Sequence, residues 1–366
     1  MTGIIIGWVI FVFAVVRMVV SLVNMMSNLY LPERGNSSGS LVSVLVPARN
    51  EAYKLPALLD ALMRQDYSEM EILVYDDHSE DGTAEVVHQF AYKDERIKLL
   101  TGESLPHGWF GKNHACHQLA SKATGEYLLF LDADVDVSKD LVKRSVALSK
   151  QNKFTLLSIF PKQKVITTGE RLTVPMMNWI LLTLLPMVLV RTSRNPSLAA
   201  ANGQFMLFEA KTYKSHWWHK QVKNSLVEDI EIIRMMKAEN YRVATLLGDK
   251  DVSCRMYSSF KEGLNGFAKN VIEFFGGSSL LAVLFTVLIM GGVFIIPFTL
   301  GIELFIIYLG IIMLIKVFVS ITSKQSAVKN LLFHIPQMFT FLIMVFKGIQ
   351  VKQSGKYYWK GRKIEN

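Results

Sequence analysis

The sequence predicts an α/β domain built on a mostly parallel sheet, with a membrane anchor before it and apolar helices after it. Apolar strand patterns near 41–46, 71–75 and 127–131 alternate with helical patterns, which is the order expected of parallel strands joined by crossovers. Long apolar stretches also occur toward both ends of the chain. Each is long enough to cross a bilayer.

The composition agrees with a membrane-associated protein. The chain has 366 residues, a formal charge of +9 and 51% hydrophobic residues, an unusual balance for a soluble enzyme. Because the basic residues concentrate near apolar segments, anionic lipid head groups are a sufficient partner for them and no nucleic acid is predicted. Cys116 and Cys254 lack metal-ligand spacing, so we predict no disulfide and a reducing compartment. A transporter is disfavoured because no internal repeat is visible.

Residues 1–31 are predicted to form an N-terminal transmembrane anchor. The stretch from Gly3 to Tyr30 is predominantly apolar, and no Lys or Arg precedes it. No small-residue cleavage site follows, so we expect the segment to be retained rather than removed as a signal peptide. Residues 32–40 have the composition of a linker, and 41–277 are predicted to form the catalytic domain.

Polar residues follow the first two predicted strands. The first strand ends at Pro47 and is followed by Arg49 and Glu51, and the second runs into an acidic turn that contains Asp77. Because the carboxyl ends of parallel strands share one edge of a sheet, we expect these residues to lie together. Their carboxylates could accept hydrogen bonds from a base or a ribose, which predicts a nucleotide site formed by Pro47, Arg49, Glu51 and Asp77.

The third strand, Tyr127–Leu131, ends in Asp132-Ala133-Asp134. Two carboxylates separated by one small residue at a strand end are suitable ligands for Mg²⁺ or Mn²⁺. An ordinary acidic turn is the alternative, but the two neighbouring polar strand ends favour a ligand site. We therefore predict that Asp132 and Asp134 hold a metal against a diphosphate, with Asp132 also contacting the nucleotide sugar.

A glycine-containing loop and a helix lie between the second and third strands, over 108–120. The glycines allow close backbone approach, and the helix N-terminus could face anionic groups. Lys112 is predicted to contact the nucleotide. His114 and His117 are expected to be ordinary solvated helix residues.

Two later segments complete the predicted site. Gly203 lies in a loop that could present amide groups to sugar hydroxyls, and Glu228 and Asp229 begin a helix. An acid there is often only a cap or a partner of the helix dipole. Beside a donor site, one of the two is a suitable general base for an acceptor hydroxyl. We assign that role to Asp229 and keep Glu228 as the alternative.

The C-terminal part is predicted to return to the membrane. Residues 278–349 contain a hairpin of two apolar spans and a weaker run, 331–346, that we expect to be interfacial or re-entrant. The run 174–190 is expected to be an interfacial or membrane segment as well. The basic tail, 350–366, is predicted to be cytoplasmic by the positive-inside rule. This topology places the catalytic domain in the cytoplasm and the protein in the plasma membrane as a multi-pass protein.

Four motifs occur in the order seen in family 2 glycosyltransferases of the Rossmann-like GT-A fold, in residues 46–51, 76–83, 131–134 and 227–229. The chain resembles that family over residues 41–270. The resemblance implies that the first two motifs bind the nucleoside and that the Asp-x-Asp motif holds the metal and diphosphate. It also implies that the Glu-Asp pair supplies the base, Asp229 or Glu228.

A closer resemblance is to membrane glycosyltransferases of carotenoid and hopanoid pathways, the diaponeurosporenoate glycosyltransferases in particular. It rests on residues 108–116, on Arg255-Met-Tyr257 and the residues that follow, and on 359–362. The resemblance implies inverting transfer of glucose from UDP-glucose to an isoprenoid carboxylate or hydroxyl, with Arg255 at the nucleotide sugar. Because the Gln-x-x-Arg-Trp motif of processive members is absent, polymer synthesis is disfavoured.

Several alternatives stay open at the level of the sequence. Polyprenyl phosphate, a hopanoid or diacylglycerol could serve as acceptor in place of a carotenoid-type lipid. An inactive membrane scaffold with the same fold is the non-enzymatic alternative, and the intact acidic motifs argue against it.

Overall fold

The computed structural model describes residues 1–33, 35, 39–354, 357–359 and 362–364, the last two ranges as backbone only. The strands are β1 (Val42–Ala48), β2 (Met70–Asp76), β3 (Ile97–Thr101), β4 (Tyr127–Leu131), β5 (Val135–Val137), β6 (Leu156–Phe160), β7 (Lys162–Gln163), β8 (Phe205–Glu209), β9 (Val243–Leu247), β10 (Val252–Cys254), β11 (Tyr357–Trp359) and β12 (Arg362–Ile364). The helices are α1 (Thr2–Met26), α2 (Leu55–Met63), α3 (Thr83–Lys93), α4 (Gly111–Lys122), α5 (Leu141–Asn152), α6 (Thr168–Thr173), α7 (Pro175–Leu184), α8 (Val188–Thr192), α9 (Ala210–His216), α10 (Trp218–Gln221), α11 (Glu228–Ala238), α12 (Phe260–Asn270), α13 (Ser279–Thr299), α14 (Ile302–Thr322), α15 (Ala327–Leu332) and α16 (His334–Ser354).

The chain divides into two compact units. One, here called the apolar unit, consists of 1–28, 163–188 and 256–357. The other, here called the sheet unit, consists of 29–162, 189–255 and 358–366. Segments 163–188 and 256–277 lie inside the predicted catalytic domain at 41–277 and belong to the apolar unit in this division. The predicted domain bounds stay a prediction.

The sheet unit is built on seven strands in the order β3-β2-β1-β4-β8-β6-β9. All neighbours run parallel except β8, which is antiparallel to both β4 and β6. The central strands are almost wholly buried, as the β-branched and apolar residues of β1 and β2 require. The prediction of a mostly parallel α/β sheet is confirmed.

Sheet topology determines which loops meet. Strands β2, β1 and β4 are parallel neighbours, so the residues that follow their carboxyl ends share one edge of the sheet. Strand β8 runs the other way and pairs Phe205 with Leu131, so its amino-terminal loop reaches the same edge. Asp132 N donates to Gln204 O at 3.3 Å, which joins the β4 and β8 ends directly.

The apolar unit contains three helices long and apolar enough to cross a membrane, α1, α13 and α14. Their outward residues are exposed large hydrophobics, the pattern expected of lipid-facing helices. The polar Asn24 near the end of α1 is buried. Its side chain compensates for the lost water by donating to Leu182 O at 2.9 Å and to Leu185 O at 2.8 Å. Met187 N donates back to Asn24 Oδ1 at 2.7 Å.

The run 174–190 contains α7 and the start of α8, and its predicted interfacial or membrane location stays a prediction. Its main helix, α7, has ten residues, too few to cross a bilayer. Most of its side chains are buried, Met176, Trp179 and Leu182 among them, because α7 packs against α1, α6 and α14 inside the apolar unit. The run 331–346 lies in α15 and α16, and its membrane location stays a prediction. In the linker 32–40 and the tail 350–366, residues 34, 36–38 and the side chains after 354 lie outside the described part of the chain.

Candidate active site

The loop after β2 supports the loop after β1. Asn50 N donates to Ser79 Oγ at 2.9 Å, and Glu80 N donates to Asn50 Oδ1 at 2.9 Å. Asn50 has a φ of 53°, a left-handed conformation that asparagine tolerates better than most residues. These bonds explain why polar residues of two separate motifs act as one structural element.

Arg49 and Asp77, predicted to contact a nucleotide, lie side by side. The Arg49 Nη1 atom donates to the Asp77 carbonyl and lies 3.9 Å from its carboxylate. Asp77 is buried, and its N–H donates to Ala48 O at 2.9 Å. Glu51 lies one step further along the same loop, where its N–H donates to Thr83 Oγ1 at 2.9 Å.

Each carboxylate of the Asp-x-Asp motif faces a lysine. Lys112 Nζ lies 3.0 Å from Asp132 Oδ1, and Lys54 Nζ lies 3.3 Å from Asp134 Oδ2. Gln204 Nε2 donates to the other oxygen of Asp134 at 3.2 Å. The two carboxylates are thus held by groups from α4, the start of α2 and the β8 loop.

Lys112 also links the Asp-x-Asp motif to the helix that carries the predicted base. Its Nζ lies 3.2 Å from Glu228 Oε1. The next residue, Asp229, accepts from Gly203 N at 2.8 Å and from Ile230 N at 2.8 Å. A Cβ atom on residue 203 would lie 3.0 Å from Lys112 Nζ and 3.1 Å from Glu228 Oε1, so a side chain there would crowd both groups.

Burial changes the proton affinity of these groups. It raises the pKa of Asp132 to about 6, against the opposing charge of Lys112. Burial and then the Glu228 charge raise the pKa of Asp229 to about 7. Although burial opposes the charged form of Lys112, the carboxylates of Asp132 and Glu228 hold its pKa well above the usual range. Perturbed carboxylates in one cluster are typical of a functional site.

The residues present fit a divalent cation bound together with a diphosphate. The cluster has four carboxylates and two ammonium groups, which leaves excess negative charge when all are ionised. Within the described residues, no group of three His, Cys, Asp or Glu side chains could hold a metal. A metal at Asp132 and Asp134 therefore needs further oxygen ligands, and Mg²⁺ commonly takes these from substrate phosphates.

Two further predicted residues lie near this edge by backbone register. Pro47 is opposite Tyr75 near the ends of β1 and β2. Arg255 follows β10, whose last residue Cys254 is paired with Val135, the residue after Asp134. Arg255 and Asp134 therefore adjoin the same end of this antiparallel ladder. Arg255 is exposed. The roles of all the predicted site residues remain proposals.

The contacts of Lys54 and Gln204 with Asp134 were not predicted from the sequence. The position of Lys54 shortly after the first strand motif could have suggested a site residue, although lysines are also common at the starts of helices.

The expectation that His114 is solvated is wrong. It is buried, with its ring 5.4 Å from Trp109 and 6.2 Å from Tyr75, because the loop before α4 folds over the helix. Both cysteines are free, in agreement with the prediction of no disulfide, and both are buried, which was not predicted.

Comparison with known families agrees with the sheet and with the order of its strand-end motifs. Residues 43–216 match the family described as "Glycosyl transferase family 2". This part of the chain is therefore similar to that family, and the chain has the GT-A fold.

Two named relatives and one solved structure show which proteins the chain is similar to. It is 29% identical to the 4,4'-diaponeurosporenoate glycosyltransferase of Staphylococcus haemolyticus over 65% of this chain. The aligned part spans 63% of that relative's length. The chain is 25% identical to the enzyme of that name from Staphylococcus aureus over 89% of both chains. A mannosyltransferase from Pyrobaculum calidifontis, solved with GDP-Man and Mn²⁺, shares the fold at a TM-score of 0.58 and 16% identity, covering 97% of this chain and 99% of that one.

Proposed function

We propose that this protein transfers glucose from UDP-glucose to a membrane lipid whose reacting group is an isoprenoid carboxylate or hydroxyl. The observation that supports this most is the link through Lys112 between Asp132 and Glu228. It joins the predicted diphosphate site to the predicted base on one side of the sheet unit. The names of the staphylococcal relatives support a carotenoid-type acceptor.

In this proposal the donor lies across the strand ends. Arg49 and Asp77 contact the nucleoside, with Pro47 and Glu51 shaping the loop around it. Lys112 and Arg255 contact the diphosphate, since ammonium and guanidinium groups are suited to phosphate oxygens. Gly203 gives the sugar room to approach Asp229, because a side chain there would fill the space between Lys112 and Glu228.

Asp132 and Asp134 would hold Mg²⁺ or Mn²⁺. The bound metal would offset negative charge on the leaving diphosphate. When the donor binds, Lys112 and Lys54 gain phosphate oxygens as partners in exchange for the carboxylates that they contact in this structure.

The transfer is a direct displacement with inversion. The acceptor oxygen forms a bond to the anomeric carbon as the bond from that carbon to UDP breaks, and UDP leaves with the bonding electrons. For a hydroxyl acceptor, Asp229 accepts the proton. A carboxylate acceptor is already ionised near neutral pH, so Asp229 then has only a positioning role.

The three membrane-capable helices support a membrane-associated protein. We propose a multi-pass protein of the plasma membrane whose sheet unit and basic tail face the cytoplasm, where nucleotide sugars are available. An acceptor that stays in the bilayer agrees with the exposed apolar residues on these helices.

The experiment is a transfer assay with purified protein in nanodiscs. It supplies UDP-glucose, Mn²⁺ and either an isoprenoid acid or the corresponding alcohol, and it detects glycosylated lipid by mass spectrometry. We expect a glucosyl ester or glucoside with the inverted anomeric configuration. If neither lipid transfer nor donor hydrolysis occurs under any of these conditions, the result supports the inactive scaffold instead.

A donor panel tests the sugar and the nucleotide separately. GDP-glucose changes the nucleotide alone and UDP-N-acetylglucosamine changes the sugar alone, and we expect slower transfer from both than from UDP-glucose under the same conditions. Faster transfer from either one would reject UDP-glucose as the donor while leaving the enzyme class intact.

A further inference from the structure

The first membrane-capable helix, α1, contains a buried arginine that forms no ion pair with a carboxylate of the described residues. Arg17 of α1 is 1% exposed, and its Nε and Nη2 atoms are buried without a hydrogen-bond partner. Its guanidinium lies 4.4 Å from the ring centroid of Trp179 and 5.4 Å from that of Phe285. Ring faces attract the positive charge, but they give the in-plane N–H groups no acceptor.

A second cation lies against the same ring. Lys316 of α14 is 3% exposed, and its Nζ is 5.0 Å from the Trp179 centroid. Its Nζ donates to the neutral Gln337 Oε1 at 2.7 Å. In the part of the chain that the structure describes, no carboxylate lies within ion-pair distance of Arg17 or Lys316.

Such an arrangement is costly inside a membrane. A charged side chain among lipid-embedded helices is destabilising unless it is paired, and polar residues at such depth usually mark a ligand site. Two positive charges on one ring also repel each other. An anionic group from outside the chain would relieve both costs, since the guanidinium offers N–H donors that match the oxygens of a carboxylate or phosphate.

An apolar groove on α1 shares one side chain, Phe13, with the surroundings of Arg17. The groove has a volume of about 570 Å³ and is lined by α1 residues between Ile5 and Val16 and by Leu288 of α13. Phe13 lines this groove and also lies 5.7 Å from the Arg17 guanidinium. Val9, Val12 and Val16 are about half exposed, so the groove opens toward lipid.

We propose that Arg17 and Lys316 bind the oxyanion of a membrane-borne amphiphile whose hydrocarbon chain lies in this groove. The recognised chemistry is a carboxylate or phosphate on a long apolar chain. Two sources offer it, an isoprenoid acid and an anionic phospholipid of the surrounding bilayer. The site lies within the apolar unit and does not depend on the proposed donor chemistry of the sheet unit.

The experiment measures lipid binding to the purified full chain by native mass spectrometry. The probes are phosphatidylglycerol and all-trans-retinoic acid, each compared with an uncharged or zwitterionic counterpart, retinol or phosphatidylcholine. We expect one anionic probe to bind at least about tenfold more tightly than its counterpart, a difference of about 1.4 kcal/mol. Preference for retinoic acid identifies an isoprenoid acid, and preference for phosphatidylglycerol identifies a phospholipid.

Variants locate the site. Arg17→Gln and Lys316→Gln should each abolish the preference for the anionic probe, while Arg17→Lys should retain part of it. Lys329→Gln removes an exposed cation of the same unit and should leave the preference unchanged. Thermal unfolding and size-exclusion chromatography, measured for every purified variant, report whether the full chain is folded.

Two results would overturn the proposal. One is equal binding of the anionic and the neutral probes by the wild-type protein. The other is an anionic preference that persists in Lys316→Gln and in any folded Arg17 variant. If neither substituted protein folds, the comparison of probes on the wild-type chain still decides.

Discussion

Replacing Asp229 by asparagine removes the proposed base while keeping its size. Asp229 uses its two carboxylate oxygens to accept from Gly203 N and Ile230 N, both at 2.8 Å. Asparagine has one oxygen, so one of these donors faces an amide N–H₂ group instead. Leaving a buried donor unsatisfied costs about 1–3 kcal/mol, and we expect a free energy of unfolding lower by that amount in a protein that still folds.

The effect on turnover depends on the acceptor. Positioned general bases typically contribute about 10²–10⁴-fold to rate, so transfer to a hydroxyl lipid should fall by a factor in that range. Transfer to a carboxylate lipid should fall much less, because no proton has to leave. UDP affinity should be retained, since the proposed nucleoside contacts, Arg49 and Asp77, follow strands β1 and β2, whereas Asp229 lies on α11.

The pH dependence follows from the same residue. Burial and the Glu228 charge raise the pKa of Asp229 to about 7, and only the ionised form can accept a proton. The rate with a hydroxyl lipid should therefore fall as the pH drops below about 7. The rate with a carboxylate lipid should persist to lower pH, because an ordinary carboxyl group has a pKa of about 4.

The assay measures UDP affinity by calorimetry and transfer to matched acid and alcohol lipids in the same preparation. Glu231→Gln is the control, because it removes another acid from the first turn of α11. Loss of UDP binding in Asp229→Asn would place this residue in the donor site. Unchanged transfer to the hydroxyl lipid would refute its role as base and leave Glu228.

Three other substitutions give distinct expectations. Asp132→Asn and Asp134→Asn should each abolish transfer with little loss of stability, and near-normal turnover, or full activity of the wild type in excess EDTA, would refute the metal assignment. Lys112→Met should weaken UDP binding yet tighten Mn²⁺ binding in the absence of UDP, because Nζ no longer contacts Asp132. Electron paramagnetic resonance of free Mn²⁺ measures the metal affinity, and weaker Mn²⁺ binding would refute the reasoning. Ser354→Cys should resist an impermeant thiol reagent applied to intact cells, with little background from the buried native cysteines, and rapid labelling would indicate an exported tail.

Much of the sheet edge could be predicted because local signals and topology agree there. Charged groups directly after buried strands are costly without a partner, so Arg49, Asp77 and Asp132 at three such positions indicate a ligand site. The structure brings these strand ends together. The three long apolar helices were equally predictable from hydropathy.

The rest depends on tertiary packing that leaves no local signal. The contact of Lys54 with Asp134 joins residues far apart in sequence, and the amide of Gln204 reaches Asp134 only because β8 is antiparallel. Segments 163–188 and 256–277 were assigned to the catalytic domain because they adjoin it in sequence. Within the apolar unit, α7 packs against α1 and α14, and α12 packs against α16 and α6. Periodicity alone does not identify the partner of such an apolar face.

The most direct test of the proposed activity is a comparison of lipid extracts by mass spectrometry. The three cell populations lack the protein, express it, or express Asp134→Asn at an equal level. We predict an isoprenoid lipid enlarged by one hexose only in cells with the active protein, together with accumulation of the unmodified lipid in the other two. Identical lipid profiles in all three, or the hexosylated lipid in cells with Asp134→Asn, would contradict the proposed transfer.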